Sequence, residues 1–155
     1  MQVSEILAEK GTKIVTIGTG ASILEVSQTL KDAGIGAVVV NAADGGVAGI
    51  LSERDIVRAI ASQGPAALEK TAADLMSRDV VTCNPESSTI EVLTQMQSGR
   101  LRHLPVMDDK GMVGIVSASD LVKAVNGELT WMTKALKEQL VAAAGRATDD
   151  AAHED

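Results

Sequence analysis

The chain has 155 residues, of which 45% are hydrophobic, and its formal net charge at pH 7 is −7. This length fits one ordinary domain or two very small units that share a core. There is no Phe or Tyr and only one Trp, which argues against recognition of bases by aromatic stacking. The negative charge likewise argues against a general nucleic-acid partner.

The single cysteine, Cys83, cannot form an internal disulfide. We find neither a signal-peptide pattern nor an apolar run long enough to span a bilayer, so we expect a cytoplasmic protein. Cys83 follows Val80-Val81-Thr82 in a predicted strand. We interpret it as a small buried hydrophobic residue rather than as a reactive thiol.

The first half of the chain alternates helical and strand patterns. Ala37 to Val40 is apolar without alternation, as expected of a strand buried on both faces. In order, the patterns predict a helix over Val3–Lys10, a strand over Ile14–Ile17, a helix opened by the capping box Ser22–Glu25 and ended at Gly34, strands over 37–40 and 47–51 around a turn at 44–46, and a helix from Ser52.

The second half repeats this order after a predicted helical linker over 66–76. The predicted elements are a strand over Val80–Cys83, the capping box Ser88–Glu91, a strand over Leu104–Met107, a turn at Lys110-Gly111 and a strand over Val113–Val116. The capping boxes are offset by 66 residues and the final motifs by 65, which places a one-residue deletion in the turn. We therefore predict two repeats, 1–64 and 65–127, that pack against each other because each is too small to fold comfortably alone.

A third unit, 128–155, lies outside the repeat. We expect a new helix from Glu128 to about Ala144, because Leu129, Met132, Leu136 and Leu140 fall on one stripe at helical spacing. This helix either docks on its own domain or contacts a partner subunit. Residues 147–155 are interpreted as a disordered acidic tail.

One motif occurs at the same place in both repeats. Gly49-Ile50-Leu51-Ser52-Glu53-Arg54-Asp55 reappears as Gly114-Ile115-Val116-Ser117-Ala118-Ser119-Asp120. Each copy runs from a strand into a helix start, where backbone N–H groups are unpaired, so a phosphate, a ribose diol or no ligand at all fits the pattern. Ser followed by an acid three residues later is itself a capping box. The acid is nevertheless Asp in both motifs and Glu in the two ordinary caps, and the shorter Asp holds its carboxylate near the turn, where a vicinal diol could bind it.

These two motifs, closing two β-α-β-β-α repeats, together with Arg102-His103-Leu104-Pro105-Val106, resemble the cystathionine-β-synthase (CBS) domain, whose tandem pair is called a Bateman module. The resemblance covers Val3 to about Asn126. It implies an α/β fold in which two CBS repeats pack as a pseudo-two-fold pair, followed by a C-terminal helix.

The resemblance also implies two clefts that bind adenine nucleotides or related adenosyl compounds. Its nucleotide-binding residues would be Asp55 and Asp120 at the ribose hydroxyls, Ser52 and Ser117 near phosphate, Arg54 and Ser119 on the cleft wall, the backbone around Ile14 and Val80 at adenine, and Arg102 and His103 at phosphate, with Pro105 in the same strand. The first repeat has Ile35-Gly36 or Gly36-Ala37 where the second has Arg102-His103. We therefore expect unequal clefts, with the phosphate-binding cations in the second.

By this resemblance the chain is a non-catalytic regulatory module that signals through rearrangement of a homodimer or of a regulated partner protein. The expected ligand is AMP, ADP or ATP, ahead of NAD or S-adenosylmethionine, with no covalent cofactor, no metal, no nucleic acid and no membrane. The alternative is a ligand-free interaction or scaffold module. An enzyme is disfavoured because neither Ser52 nor Ser117 lies in a nucleophile-elbow pattern, and two histidines with one cysteine are too few and too scattered for a zinc site.

Overall fold

The structure, a computed structural model, describes the fold of residues 1–151 and the side chains as far as Arg146. Its elements are α1 (Val3–Lys10), β1 (Thr16–Gly18), α2 (Ile23–Ala33), β2 (Ala37–Asn41), β3 (Val47–Ser52), α3 (Glu53–Gln63), a 3₁₀ segment (Gly64–Glu69), α4 (Ala72–Leu75), α5 (Thr89–Gly99), β4 (His103–Asp108), β5 (Gly111–Ser117) and α6 (Ala118–Ala151). The mixed α/β architecture of two repeats and a C-terminal helix is confirmed. None of the described helices is both long enough and apolar enough to cross a membrane.

Both predicted ordinary capping boxes are formed. At the start of α2 the Ser22 amide donates to Glu25 Oε2 at 2.7 Å, and the Glu25 amide donates to Ser22 Oγ at 3.2 Å. Ser88 and Glu91 make the same pair of bonds at the start of α5, at 3.2 and 3.1 Å. Two orphan amides at each helix start are thereby satisfied, which explains why these helices begin where they do.

The two repeats carry matching hairpins. β2 and β3 are antiparallel, as are β4 and β5, and each hairpin has a bulge at the same place, between Val40 and Asn41 and between Val106 and Met107. Beyond the bulge Asn41 pairs with Val47. Met107 pairs with Met112, so the second turn is one residue shorter. The predicted site of the deletion is confirmed.

The strand expected over Val80–Cys83 is wrong. β1 pairs with β2 in parallel over three residues, whereas the second repeat forms only a single parallel bridge between Cys83 and Val106. The chain turns away directly afterwards at Asn84-Pro85. The partner residue in β4 on the side that precedes Cys83 is Pro105, which accepts from the Cys83 amide but has no N–H to donate, so β4 cannot bond the residues before Cys83 as β2 bonds those of β1.

The linker is also not one helix. The expected helix over 66–76 is replaced by the 3₁₀ segment, an extended Lys70, and the short helix α4. Thr71 starts α4 as a new capping box, with its amide donating to Asp74 Oδ2 at 2.9 Å. Lys70 and Thr71 both have extended backbone, so a continuous helix cannot pass through them.

Each repeat packs the other repeat's leading helix into its core. Val3, Ile6 and Leu7 of α1 are buried with the side chains of α5, β4 and β5, whereas Ala72 and Met76 are buried with those of α2, β2 and β3. The backbone shows the same exchange, since the Val3 amide donates to the Ser87 carbonyl at 3.0 Å. The two repeats are therefore interlocked, and α1 lies beside the motif of the second repeat.

The C-terminal helix is confirmed, but its expected start at Glu128 is wrong. α6 runs without a break from Ala118 through Asn126-Gly127 to Ala151. A weak helix former such as Gly costs only about 1 kcal/mol at an exposed position, which does not end a long helix. The expected disordered tail is helical over 147–151, and 152–155 lie outside the described residues.

Only the first turns of α6 pack on the repeats. Leu121 is fully buried, whereas the apolar side chains beyond Glu128 are more than half exposed: Leu129, Trp131, Met132, Leu136, Leu140 and Val141. The interpretation of this stretch as a helix docked on its own domain is therefore wrong. Its apolar side chains pack on neither repeat.

Candidate functional site

The second motif forms a compact polar turn where β5 passes into α6. The Ser117 amide donates to Asp120 Oδ2 at 2.9 Å, and the Asp120 amide donates to Ser117 Oγ at 3.2 Å. The hydroxyls of Ser117 and Ser119 lie 2.9 Å apart, and Ser119 is exposed. The strand end and the helix start thus hold two hydroxyls and a carboxylate at one helix N-terminus.

The first motif repeats this geometry where β3 passes into α3. The Ser52 amide and the Ser52 hydroxyl both donate to Asp55 Oδ2 at 2.9 Å, and the Asp55 amide donates to Ser52 Oγ at 3.3 Å. Arg54 is exposed beside them. Both aspartates therefore act as capping residues, as the sequence pattern also allowed.

The two motifs differ in a residue that the sequence did not indicate, Lys10. Its Nζ lies 2.6 Å from Asp120 Oδ2 and donates to the Ile115 carbonyl at 3.1 Å. Among the residues that the structure describes, no basic side chain forms an ion pair with Asp55. No sequence signal marks Lys10, because it reaches Asp120 only through the exchange of leading helices.

The surroundings of Asp120 favour its ionised form. Burial by itself raises the pKa of the carboxyl, but the hydrogen bonds from Lys10 and Ser117 and the charge of Lys10 together outweigh it. The pKa of Asp120 therefore lies below its ordinary value. The second motif carries a carboxylate that is ionised at neutral pH and already paired with an ammonium group.

His103 reaches from the second repeat to the first. It pairs with Ser117 across the β4–β5 hairpin, and Ala37 pairs with Ser52 in the first hairpin. Arg102 therefore corresponds to Gly36. A β-carbon built on Gly36 would lie 3.4 Å from His103 Cε1 and Nε2 and 3.5 Å from Glu53 Oε1. The His103 imidazole thus lies beside Gly36, the first-repeat counterpart of Arg102.

The electrostatics of His103 connect the two motifs. Burial lowers the pKa of the imidazole, and the positive charges of Lys10 and Arg102 lower it further. The carboxylates of Asp120 and Glu53 oppose these effects without cancelling them. His103 is therefore neutral at physiological pH and lies among two cations and two anions contributed by both repeats.

The remaining residues of the predicted site are Arg102, Pro105, Ile14 and Val80. Arg102 is exposed, and its carbonyl accepts a hydrogen bond from the Ala118 amide at 2.8 Å. Pro105 is buried and pairs with Ile115. Ile14 and Val80 are half-buried just before the parallel pairing of each repeat. Among the described residues, no hydrogen bond or ion pair joins Ile14 or Val80 to either motif.

An open groove of about 610 Å³ adjoins the first motif. It runs between α2 and α3, and its walls include Gly36 and Glu53 next to the His103 imidazole. None of the nucleotide-binding residues expected from the sequence lines it; its other walls are Ser27, Leu30, Lys31, Gly34, Ile35, Ile56 and Val57.

Known proteins resemble this chain over both repeats. It is 30% identical over 131 residues to a mitochondrial CBS domain-containing protein of Arabidopsis thaliana, a match that covers 79% of this chain and 64% of the relative, somewhat less than two thirds of its length. The crystal structure of a CBS-domain-containing protein from Agrobacterium tumefaciens is 44% identical, with a TM-score of 0.78 over 80% of this chain and 98% of that one.

A second similar structure is a CBS domain pair in complex with 5′-methylthioadenosine and S-adenosyl-L-methionine. It is 26% identical, with a TM-score of 0.73 over 83% of this chain and 98% of that one. The model of the CBS domain matches residues 3–62 and 72–127; the repeat limits 1–64 and 65–127 stay predictions. With the family model covering most of its length in two copies, the chain belongs to the CBS domain family.

Proposed function

We propose that this chain is a cytoplasmic, non-catalytic regulatory module that binds adenine nucleotides or related adenosyl compounds, one at each motif. Asp55 and Asp120 take the ribose hydroxyls, and the ligand is AMP, ADP or ATP ahead of NAD or S-adenosylmethionine. Arg102 and His103 bind phosphate at the second motif, with Arg102 the stronger anchor because its planar guanidinium matches phosphate oxygens.

The observation that supports this most directly is that one oxygen of each aspartate carboxylate is free to accept a hydrogen bond from a ligand. In both motifs every hydrogen bond to the aspartate ends on Oδ2. Among the described residues, Oδ1 of Asp55 and Oδ1 of Asp120 accept no hydrogen bond. Each therefore retains an acceptor beside a helix N-terminus, which suits a hydroxyl donor on a ligand with anionic groups.

The adenosyl ligand class is supported by the relative solved with 5′-methylthioadenosine and S-adenosyl-L-methionine. Aliphatic side chains and backbone groups would hold the base, because the chain has no Phe or Tyr.

Thermal unfolding of the full chain with AMP, ADP, ATP, NAD and S-adenosylmethionine tests the proposal. A ligand at 100 times its dissociation constant adds about 2.7 kcal/mol of stability, and titration calorimetry then counts the sites. We expect Asp55→Ala and Asp120→Ala each to remove one site. Glu25→Ala and Glu91→Ala are matched controls, since each removes the acid of a capping box outside the motifs. They should lower stability but keep both sites.

The second candidate, a ligand-free interaction or scaffold module, is favoured by one observation. Both aspartates already complete capping boxes, so neither needs a ligand to explain its presence. In that case none of the five compounds stabilises the protein, and Asp55→Ala costs only the cap, about 1 kcal/mol.

Output from the module would pass through α6. The exposed apolar side chains beyond Glu128 suit a second copy of this chain, because Leu129, Met132 and Leu136 follow the alternating spacing of three and four residues found in paired helices. Truncation after Glu128 should convert a homodimer into a monomer in sedimentation experiments. If the truncated chain still has the mass of a dimer in sedimentation equilibrium, α6 is excluded as the dimer contact.

A further inference from the structure

Lys10 is placed by the fold rather than by its sequence neighbours. It lies in the last turn of α1, which precedes the first repeat in the chain but packs in the core of the second. Its ammonium group pairs with Asp120 and also donates to the backbone carbonyl of Ile115. Two acceptors on β5 and α6 thus hold it at the second motif.

This ion pair is only partly open to solvent. The side chain of Lys10 is 39% exposed and that of Asp120 is 24% exposed. Separating the two groups would therefore leave a partly desolvated ammonium group without its partner, which costs more than at a fully exposed site.

A ribose diol that binds both carboxylate oxygens of Asp120 reaches the free Oδ1 and also competes with Lys10 at Oδ2. A neutral nucleoside would weaken the ion pair and offer the ammonium nothing in return. A phosphorylated nucleoside would offer it a phosphate oxygen, so that the diol binds Asp120 while Lys10 binds the anion. The first motif has no such competition, because the partners of Asp55 are the amide and hydroxyl of Ser52.

We propose that Lys10 determines specificity at the second motif, selecting phosphorylated nucleosides over neutral ones. This inference rests on the proposed binding of adenosyl ligands. It adds to that proposal a residue from outside the motif and a preference that the first motif lacks. Lys10 joins Arg102 as a second positively charged side chain near His103, so the second site repels an uncompensated positive ligand as well.

The test compares AMP with adenosine by titration calorimetry on the full chain, with Asp55→Ala present to leave only the second site. With Lys10 in place, AMP should bind at least about tenfold more tightly than adenosine. Lys10→Met should reduce that preference several-fold by weakening AMP and leaving adenosine equal or tighter, while the part of the preference that is due to Arg102 remains. Lys13→Met, an exposed lysine three residues further on, is the matched control and should keep the preference.

The results distinguish a failure of the role of Lys10 from a failure of the proposed binding of adenosyl ligands. If neither AMP nor adenosine binds the unmodified chain, the role of Lys10 is wrong, and the proposed function is wrong as well if ADP, ATP, NAD and S-adenosylmethionine also fail to bind. If both bind and Lys10→Met keeps the ratio of their affinities, or weakens the two equally, the role of Lys10 in selection is wrong while ligand binding stands. Lys10→Gln provides a second variant that keeps a hydrogen-bond donor, and circular dichroism of each variant establishes that it is folded.

Discussion

Gly49 lies directly against Met76. A β-carbon built on Gly49 would lie 2.6 Å from Met76 Sδ and 2.7 Å from the carbonyl oxygen of Ser77. In the second motif, a β-carbon on Gly114 would lie 2.7 Å from Cδ2 of Leu7. The glycine that opens each motif is thus required because the exchanged leading segment packs on the strand. It is a packing requirement of the fold, separate from the Ser and Asp that follow.

Replacement of each glycine by alanine should lower the stability of the protein by a different amount, because the two glycines contact different kinds of atoms. Gly49→Ala meets a backbone oxygen that cannot rotate away, so we expect the free energy of unfolding to fall by about 2–3 kcal/mol. Gly114→Ala meets the end of a leucine side chain and should cost less, about 1–2 kcal/mol. Urea unfolding followed by circular dichroism measures both.

Gly18→Ala is the control for this pair, because a β-carbon there has no atom within 4 Å. It should unfold as the unmodified chain does. A Gly49→Ala protein as stable as the unmodified chain would contradict the close packing of Met76 on β3.

Cys83 should be chemically inert in the folded protein. The residue is 8% exposed, and burial raises the pKa of its thiol to about 11. Since the thiolate is the reactive species, a disulfide reagent at pH 8 should leave the native chain unlabelled and label it fully in guanidinium chloride. Stoichiometric labelling of the native protein within minutes would show that β4 does not cover the thiol.

The parts of the fold that could be predicted are those written in local patterns. Ser22-x-x-Glu25 predicts a helix start by itself. The missing residue in the second hairpin follows from the different offsets of the capping boxes and of the final motifs between the repeats. The exchange of α1 and α4 depends on packing between residues that are distant in the sequence, Leu7 with Gly114 and Met76 with Gly49, and no local pattern predicts it. Lys10 cannot be predicted from the sequence for the same reason.

The candidate site shows the same limit. Ser117 and Asp120 can be predicted because the motif repeats, and their hydrogen bonds follow from their spacing of three. The position of His103 beside Gly36 could not be predicted, since it depends on how two repeats face each other. The helix break at Asn126-Gly127 was wrong because low helix propensity is a weak signal when neither residue must leave the helix.

His103 should make stability depend on pH in a definite direction. Burial, Lys10 and Arg102 lower its pKa below the ordinary value of 6.5 in the folded chain, whereas the unfolded chain retains that value. Between these two pKa values the unfolded chain binds more protons, so the free energy of unfolding falls as the pH drops through about 6.5 towards the folded pKa. Proton NMR of the imidazole and urea unfolding at pH 5.5 and 7.5 measure the two effects.

His103→Asn assigns the imidazole signal and should remove the His103 part of this pH dependence. Lys10→Met should raise the pKa of His103, because it removes one of the positive charges that lower it. An imidazole pKa at or above 6.5 in the folded chain would mean that His103 is not enclosed by Gly36 and its charged neighbours.

Arg100 ends α5 at the position where Gly34 ends α2. Both residues have left-handed backbone, with φ of +53° at Arg100 and +64° at Gly34. A side chain in this conformation costs about 1–2 kcal/mol, and glycine recovers most of it while adding entropy to the unfolded chain. Arg100→Gly should therefore raise the free energy of unfolding by up to about 1 kcal/mol, and Gly34→Ala should lower it by about 1 kcal/mol. If both helices end in this conformation, urea unfolding of the two variants gives opposite shifts of the midpoint. A loss of stability in Arg100→Gly would show that the arginine side chain stabilises the fold by more than its backbone strain destabilises it.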